Sequence, residues 1–268
     1  LIRDALAFPY LAKKKQMKYF SYVVCLVLAL ATSGCFEMLE DVYLNSDGTG
    51  KYEITIDMSS MLNDPFMGEM MKQGMMEETG RDVLEIDSLI SFADMQEGGL
   101  PATFTDKDRA ILDRTEMRMK MSESEKVGKF VISFPFESMS ELNDFQKTFA
   151  KLNEEGGEQG GMSGLMGGGA MANSNSTWEL SGNTLNRIVD AGDAAAMLGE
   201  MDEETIGMMK MMMADASFTT TYHLPGKVKK TTIENAEIEG NNVIVSFKFL
   251  DILEDQPDTG GSIKFKKR

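Results

Sequence analysis

Val42-Tyr43-Leu44-Asn45-Ser46-Asp47-Gly48-Thr49-Gly50-Lys51-Tyr52-Glu53-Ile54-Thr55-Ile56-Asp57 decides the fold class. Val42 and Leu44, then Tyr52, Ile54 and Ile56, recur at every second residue, the period that puts side chains on one face of a strand. Asp47-Gly48 between the two runs marks a hairpin, because glycine accepts the positive φ that such turns require. Other chemistry fits the segment poorly. Asp47-Gly48-Thr49-Gly50 has the wrong order for the Asp-Thr-Gly of an aspartic protease, and a calcium loop needs several more oxygens at alternating positions.

Working downstream, Ser59, Ser60 and Asn63 offer helix caps, and the spacing predicts a Met-rich helix over 61–76 with Pro65 in its first turn. Residues 77–112 signal less: a short helix or strand within 83–95, then a loop at Glu97-Gly98-Gly99-Leu100-Pro101. Met117, Met119 and Met121 alternate with charged residues, and Phe130, Ile132 and Phe134 alternate with Val131 and Ser133. Two strands are predicted there, around a turn at 125–128. Ser138 or Ser140 then caps a helix with Leu142, Phe145, Phe149 and Leu152 on one face. Asp57-Met58-Ser59-Ser60-Met61-Leu62-Asn63-Asp64-Pro65-Phe66 resembles Phe136-Glu137-Ser138-Met139-Ser140-Glu141-Leu142-Asn143-Asp144-Phe145. Each follows a hairpin and opens a helix, so a candidate duplicated β-β-α unit would give four strands with two helices on one face.

Residues 155–176 are Gly- and Met-rich and of low complexity, and are expected to form a flexible loop. Beyond them the patterns predict a hairpin at 177–185, a helix at 194–213, a strand at 218–224 stopped by Pro225-Gly226, and a final hairpin over 233–249. Residues 255–268 read as a polar tail with a basic end. The expected fold is α+β: an antiparallel β-sheet built from hairpins with flanking helices, in one domain of two parts, 42–154 and 177–254.

Upstream, the chain changes character. Met17-Lys18 precedes an apolar run over 22–31, and Leu28-Ala29-Leu30-Ala31-Thr32-Ser33-Gly34-Cys35 ends it with small residues before a cysteine. A charged start, a short apolar core and small residues make an export signal, not a fold element. The run is about half of the roughly 20 residues a membrane span needs. Its close resembles the lipobox of bacterial lipoproteins, with Thr32 where that family usually has Leu. The resemblance implies cleavage before Cys35, diacylation of its thiol and a membrane-tethered protein. Residues 1–34 are then a signal-peptide region containing a signal helix, with Met17 as its start, and 35–41 a lipidated tether. Phe36 after the cysteine, rather than Asp, implies an outer-membrane destination in a Gram-negative source.

Without 1–34 the chain keeps 234 residues, with 22 basic against 42 acidic side chains, a net charge of −20. So acidic a surface argues against nucleic acid or anionic lipid headgroups as partners, since backbone phosphates need Lys and Arg to neutralise them. Cys25 falls within the signal and Cys35 carries lipid, which leaves no thiol for a disulfide, a zinc site or a nucleophile.

Methionine is the unusual component, at 24 residues. Met67, Met70, Met71, Met75 and Met76 form one cluster; Met201, Met208, Met209, Met211, Met212 and Met213 form another. Thioethers suit Cu(I), but methionine is also a flexible apolar filler and a good helix former, and packing or adaptable contact is the favoured reading. His223 is the only histidine, and the sequence identifies no positioned partner for acid–base work. Zinc sets, phosphate-binding glycine loops and nucleophile elbows are absent from the sequence. No enzyme, cofactor or metal ligand is expected.

Tyr222-His223-Leu224-Pro225-Gly226-Lys227-Val228, followed by Asn235-Ala236, Gly240-Asn241 and an alternating strand, resembles the end of LppM-type lipoproteins. So does the strand, Asp-Gly turn and strand close behind Cys35. The resemblance, carried by the two ends of the chain, implies an exported α+β domain behind a lipid anchor that binds something, lipids or glycolipids in some relatives. It brings no catalytic residues. The function expected is a membrane-anchored, non-enzymatic binding or accessory protein of the cell envelope, with an envelope protein or a hydrophobic ligand as partner. A lipid binder would need a cavity between 61–76, 139–152 and the sheet; a soft-metal binder would take Cu(I) at the Met clusters.

Overall fold

In the computed structural model the chain divides into two units, Leu1–Gly34 and Cys35–Arg268. The structure describes residues 36–65, 68–70, 72–73, 85–91, 100, 102–155, 176–189, 207, 210, 215–248, 250–251 and 258–266, all in the second unit. The expected signal helix, Cys35, the interior of the 155–176 loop and nearly all of the 194–213 helix lie outside them.

The opening hairpin forms where its pattern requires. β1 (Glu37–Leu44) and β2 (Gly50–Asp57) pair antiparallel with Leu44 opposite Gly50. Gly48 takes φ 93° in the turn, where the Asp47 carboxylate accepts from the Thr49 N–H at 3.0 Å and hydroxyl at 2.8 Å. Gly50 is needed for another reason: a Cβ there would lie 2.3 Å from the Phe136 ring. The first strand starts earlier than expected. Residues 36–41 are not a tether: Phe36 is 2% exposed, and Met38, Glu40 and Val42 alternate into the core. Glu40 conceals the strand in the sequence, because an acid at an inward position interrupts the apolar alternation.

This hairpin is the centre of an eight-stranded sheet. β3 (Glu85–Ser91), β4 (Glu116–Ser122) and β5 (Val127–Phe136) extend it on one side. With β6 (Ser176–Ser181) and β7 (Thr184–Val189) assigned elsewhere, β8 (Ser217–His223), β10 (Glu237–Glu239) and β11 (Asn242–Lys248) extend it on the other. The order is β10-β11-β8-β1-β2-β5-β4-β3. Its pairings are antiparallel except that β8 runs parallel to β1, with Glu37 opposite Ser217 and Tyr43 opposite His223. β9 (Val228–Thr231) and β12 (Gly261–Phe265) join the β6–β7 hairpin in a second sheet of order β6-β7-β12-β9.

The polar tail expected over 255–268 therefore contains an interior strand. Ile263 and Phe265 are each 1% exposed between β7 and β9. Two inward residues separated by Lys264 have the strand period, but their polar surroundings hide it. The final hairpin is also shorter than expected. Leu224 N–H donates to Asn241 O and Val228 N–H to Gly240 O, both at 3.0 Å, so the chain crosses between sheets at Pro225-Gly226 and β9 leaves for the small sheet.

Helix α1 (Ser59–Asn63) stops before Pro65: Asp64 takes ψ 130°, the extended conformation favoured ahead of proline. The Gly68 N–H donates to Asp64 O at 2.8 Å and helical backbone is present at 68–70 and 72–73, so the expected 61–76 helix is broken at Asp64 and Pro65 stands where a first turn opens behind it. Helix α2 (Asp106–Asp113) lies where the sequence reading was weakest. Thr105 Oγ1 accepts from the Asp108 N–H at 3.2 Å while the Asp108 carboxylate accepts from the Thr105 N–H at 2.8 Å, a reciprocal cap. Helix α3 (Met139–Glu155) is capped by Ser138, whose hydroxyl accepts from the Glu141 N–H at 3.2 Å. The hairpin–helix order occurs twice, β1-β2-α1 and β4-β5-α3, and the hairpins meet through β2 and β5, giving the four-strand block expected of a duplicated unit. The helices differ: α1 has five residues and none buried, whereas α3 has 17.

The inner face of the large sheet packs against α3 and the small sheet. Phe145 stacks on Phe134 at 4.6 Å and tilts against Tyr52 at 5.6 Å; Trp178 of β6 tilts against Tyr222 of β8 at 5.9 Å. Residues on the outer face line up in rows. Asn242, His223, Tyr43, Lys51 and Pro135 face one another at one end; Lys248, Ser217, Glu37, Asp57 and Lys129 do so at the other.

Candidate functional site

Strand β1 places two acids on opposite faces, and each has a partner far away in sequence. Glu40 points inward. Its Oε1 accepts from Tyr52 Oη at 2.6 Å and Arg187 Nη2 at 3.0 Å; its Oε2 accepts from Arg187 Nη1 at 2.7 Å and Thr220 Oγ1 at 2.6 Å. The Arg187 side chain is 1% exposed and that of Glu40 8%. Arg187 reaches this position because it occupies an inward register of β7, and its Nε donates to Ser176 Oγ at 3.0 Å. Nη1 also donates to Tyr222 Oη at 3.1 Å, and the guanidinium lies 4.8 Å from the Trp178 ring centre.

A buried charge costs several kcal/mol unless it is paired and hydrogen-bonded. Burial pushes the Arg187 pKa down, but the adjacent Glu40 carboxylate outweighs it and holds the guanidinium protonated well above its usual range. Burial, then Glu40, raises the Tyr52 hydroxyl; burial also raises Tyr222, so both phenols stay neutral donors. A carboxylate offers about four acceptor positions, and Glu40 uses four within the protein. Nothing remains for a substrate, so the network acts as a clamp between the two sheets.

Asp41, the next residue, points outward. Its Oδ1 lies 2.7 Å from His223 Nε2 on the parallel neighbour β8. The His223 ring stacks on Tyr43 at 4.2 Å with 4° between planes, and Lys51 Nζ sits 4.7 Å from the Tyr43 ring centre. Lys51 in turn pairs with Glu53 at 2.6 Å. The result is a cross-strand column of imidazole, phenol and ammonium, tied by two carboxylates. Partial burial first, then Asp41 and Glu53, raises the Tyr43 pKa. The side chains of His223 and Asp41 keep 29% and 21% exposure, enough for contact with another molecule. Among the described residues, no group of three or more His, Cys, Asp or Glu is placed to hold a metal ion.

No known protein family and no curated protein matches the chain. One solved structure that it matches is the folded domain of LppM from Mycobacterium tuberculosis, determined by NMR. The identity is 13%, the TM-score 0.37, and the match covers 87% of this chain and 90% of that one. Among the described residues, no helix is long and apolar enough to cross a membrane.

Of the positions singled out in the sequence, His223 gains the partner the sequence did not identify, Asp41. Cys35 lies outside the described residues. So do both Met clusters except Met70, which is 54% exposed. The cavity that a lipid binder would need at α3 meets a filled contact: Leu142, Phe145 and Phe149 are buried, with Phe145 ring-on-ring against Phe134. The Glu40–Arg187 pair escaped the sequence reading. Its one local signal is a charge at an inward position of each strand's alternation.

Proposed function

We propose that this chain is an exported, lipid-anchored, non-enzymatic binding or accessory protein of the cell envelope. It presents the His223–Tyr43–Lys51 column to an envelope partner. The observation that carries this reading is the closeness of export signal to fold: Phe36, directly after Cys35, is 2% exposed and β1 begins at Glu37. Cleavage before Cys35 would release a domain whose core starts at the next residue, so an acyl group there would hold the folded body itself at the membrane. The closed hydrogen bonding of Glu40 and the half-exposed column support positioning and contact rather than turnover. Burial of Phe36, 2% exposed, accounts for its identity without a sorting role.

In-cell crosslinking of the tagged protein, with mass spectrometry of its N-terminal fragment, tests the proposal. The expected result is an acylated Cys35 and a stoichiometric partner that is lost in Cys35→Ser and weakened in Tyr43→Ala and His223→Ala. An unmodified Cys35, or a partner indifferent to all three substitutions, would overturn it.

A further inference from the structure

We propose that the anchor sets which rim of the large sheet faces the bilayer: the rim at the start of β1 meets the lipid headgroups, and the column is held at the opposite end. This rests on the acylation of Cys35 proposed above. Consecutive Cα atoms are about 3.8 Å apart, so a lipid on Cys35 is one peptide unit from Phe36. Phe36 is already fixed, since it is 2% exposed and its carbonyl accepts from the Ser217 N–H of β8 at 3.0 Å. No slack remains for the domain to rise off the membrane. Glu37, Asp57, Lys129, Ser217 and Lys248 share this rim by strand register.

Part of the acid charge of that rim is neutralised within the protein. An anionic leaflet repels unmatched acids, and three acids of this rim are matched by lysines: Asp57 with Lys129 at 2.7 Å, Glu123 with Lys72 at 2.6 Å and Glu125 with Lys120 at 2.5 Å. Lys126 and Lys248 add cations to a rim that also carries Glu37, Glu85, Asp215 and Asp251. At roughly 3.3 Å per residue, β1 carries its other end roughly 25 Å away. His223, Tyr43 and Lys51 lie in that far row, clear of lipid and open to a partner in the aqueous envelope.

The test uses the acylated full-length protein in vesicles of phosphatidylethanolamine and phosphatidylglycerol that contain a phospholipid with a headgroup nitroxide. Cys25 and Cys35 are the only cysteines, so after processing and acylation an introduced cysteine is the one free thiol for a fluorophore. Lys248→Cys and Glu37→Cys mark the near rim; Ser46→Cys and Glu239→Cys mark the far one. All four positions are exposed, and a far-ultraviolet spectrum checks that each variant folds. Quenching severalfold stronger at both near sites than at both far sites is the expected result. With acylation verified by mass, equal quenching at the two rims, or the reverse gradient, would overturn the orientation while leaving the anchor standing. An N-terminal fragment without acyl mass would overturn the anchor and the orientation together.

Discussion

Glu40 has all four acceptor positions filled from inside the protein, and Arg187 fills two of them. Removing the guanidinium would leave a carboxylate with no counter-charge between two sheets. Arg187→Met is expected to cost about 3–5 kcal/mol, as for other broken buried pairs. Glu40→Gln in the same background removes the stranded charge and should recover part of that loss; urea denaturation of both singles and the double closes the cycle. Simple additivity would show that the pair is not coupled. A second residue-scale effect belongs to Asp108. Its partial burial pushes the carboxyl up, but hydrogen bonds from Thr105, Thr148 and Lys151 outweigh this and hold it at about 2. A depressed folded pKa contributes stability that is complete above the unfolded value of about 4 and is lost as pH falls through about 2. Asp108→Ala should therefore cost about 1–2 kcal/mol at neutral pH. The difference from wild type should shrink between about pH 4 and pH 2; a gap that stays constant across that range would refute the assignment.

Elements were legible wherever a local turn or cap coincided with a hydrophobic period. The β1–β2, β4–β5 and β6–β7 hairpins and α3 satisfy that condition. Helix α2 also had a local signal, Thr105 followed three residues later by Asp108, which lies in a stretch whose apolar pattern is weak. β12 had almost none: only Ile263 and Phe265 mark its inward face, and their burial depends on β7 and β9 arriving on either side. Phe265→Ala is expected to destabilise by about 3–5 kcal/mol, against less than about 0.5 kcal/mol for the outward Lys264→Ala. Equal, small effects in thermal melts would return the segment to a tail.

At the scale of the molecule, the two sheets share one core, and Trp178 sits at their meeting point beside Arg187 and Tyr222. Asn143 of α3 ties that strand to the helix: its Nδ2 donates to Trp178 O at 2.9 Å, and its Oδ1 accepts from Trp178 N–H at 2.7 Å. Trp178 is the single tryptophan, so its fluorescence reports this junction alone, while far-ultraviolet circular dichroism reports both sheets. The two unfolding transitions should coincide in urea; an earlier fluorescence transition would mean that the small sheet opens independently.

Local pattern determined the α+β class, most of the hairpins and the capped helix α3, because turns, caps and periods act between residues a few positions apart. Tertiary structure alone decided the parallel pairing of β8 with β1, the interior place of β12 and the two acid–base pairs of β1. Glu40 meets Arg187 across 147 positions and Asp41 meets His223 across 182. Such contacts depend on which strands become neighbours, and that choice is made by the packing of the whole core rather than by any one segment.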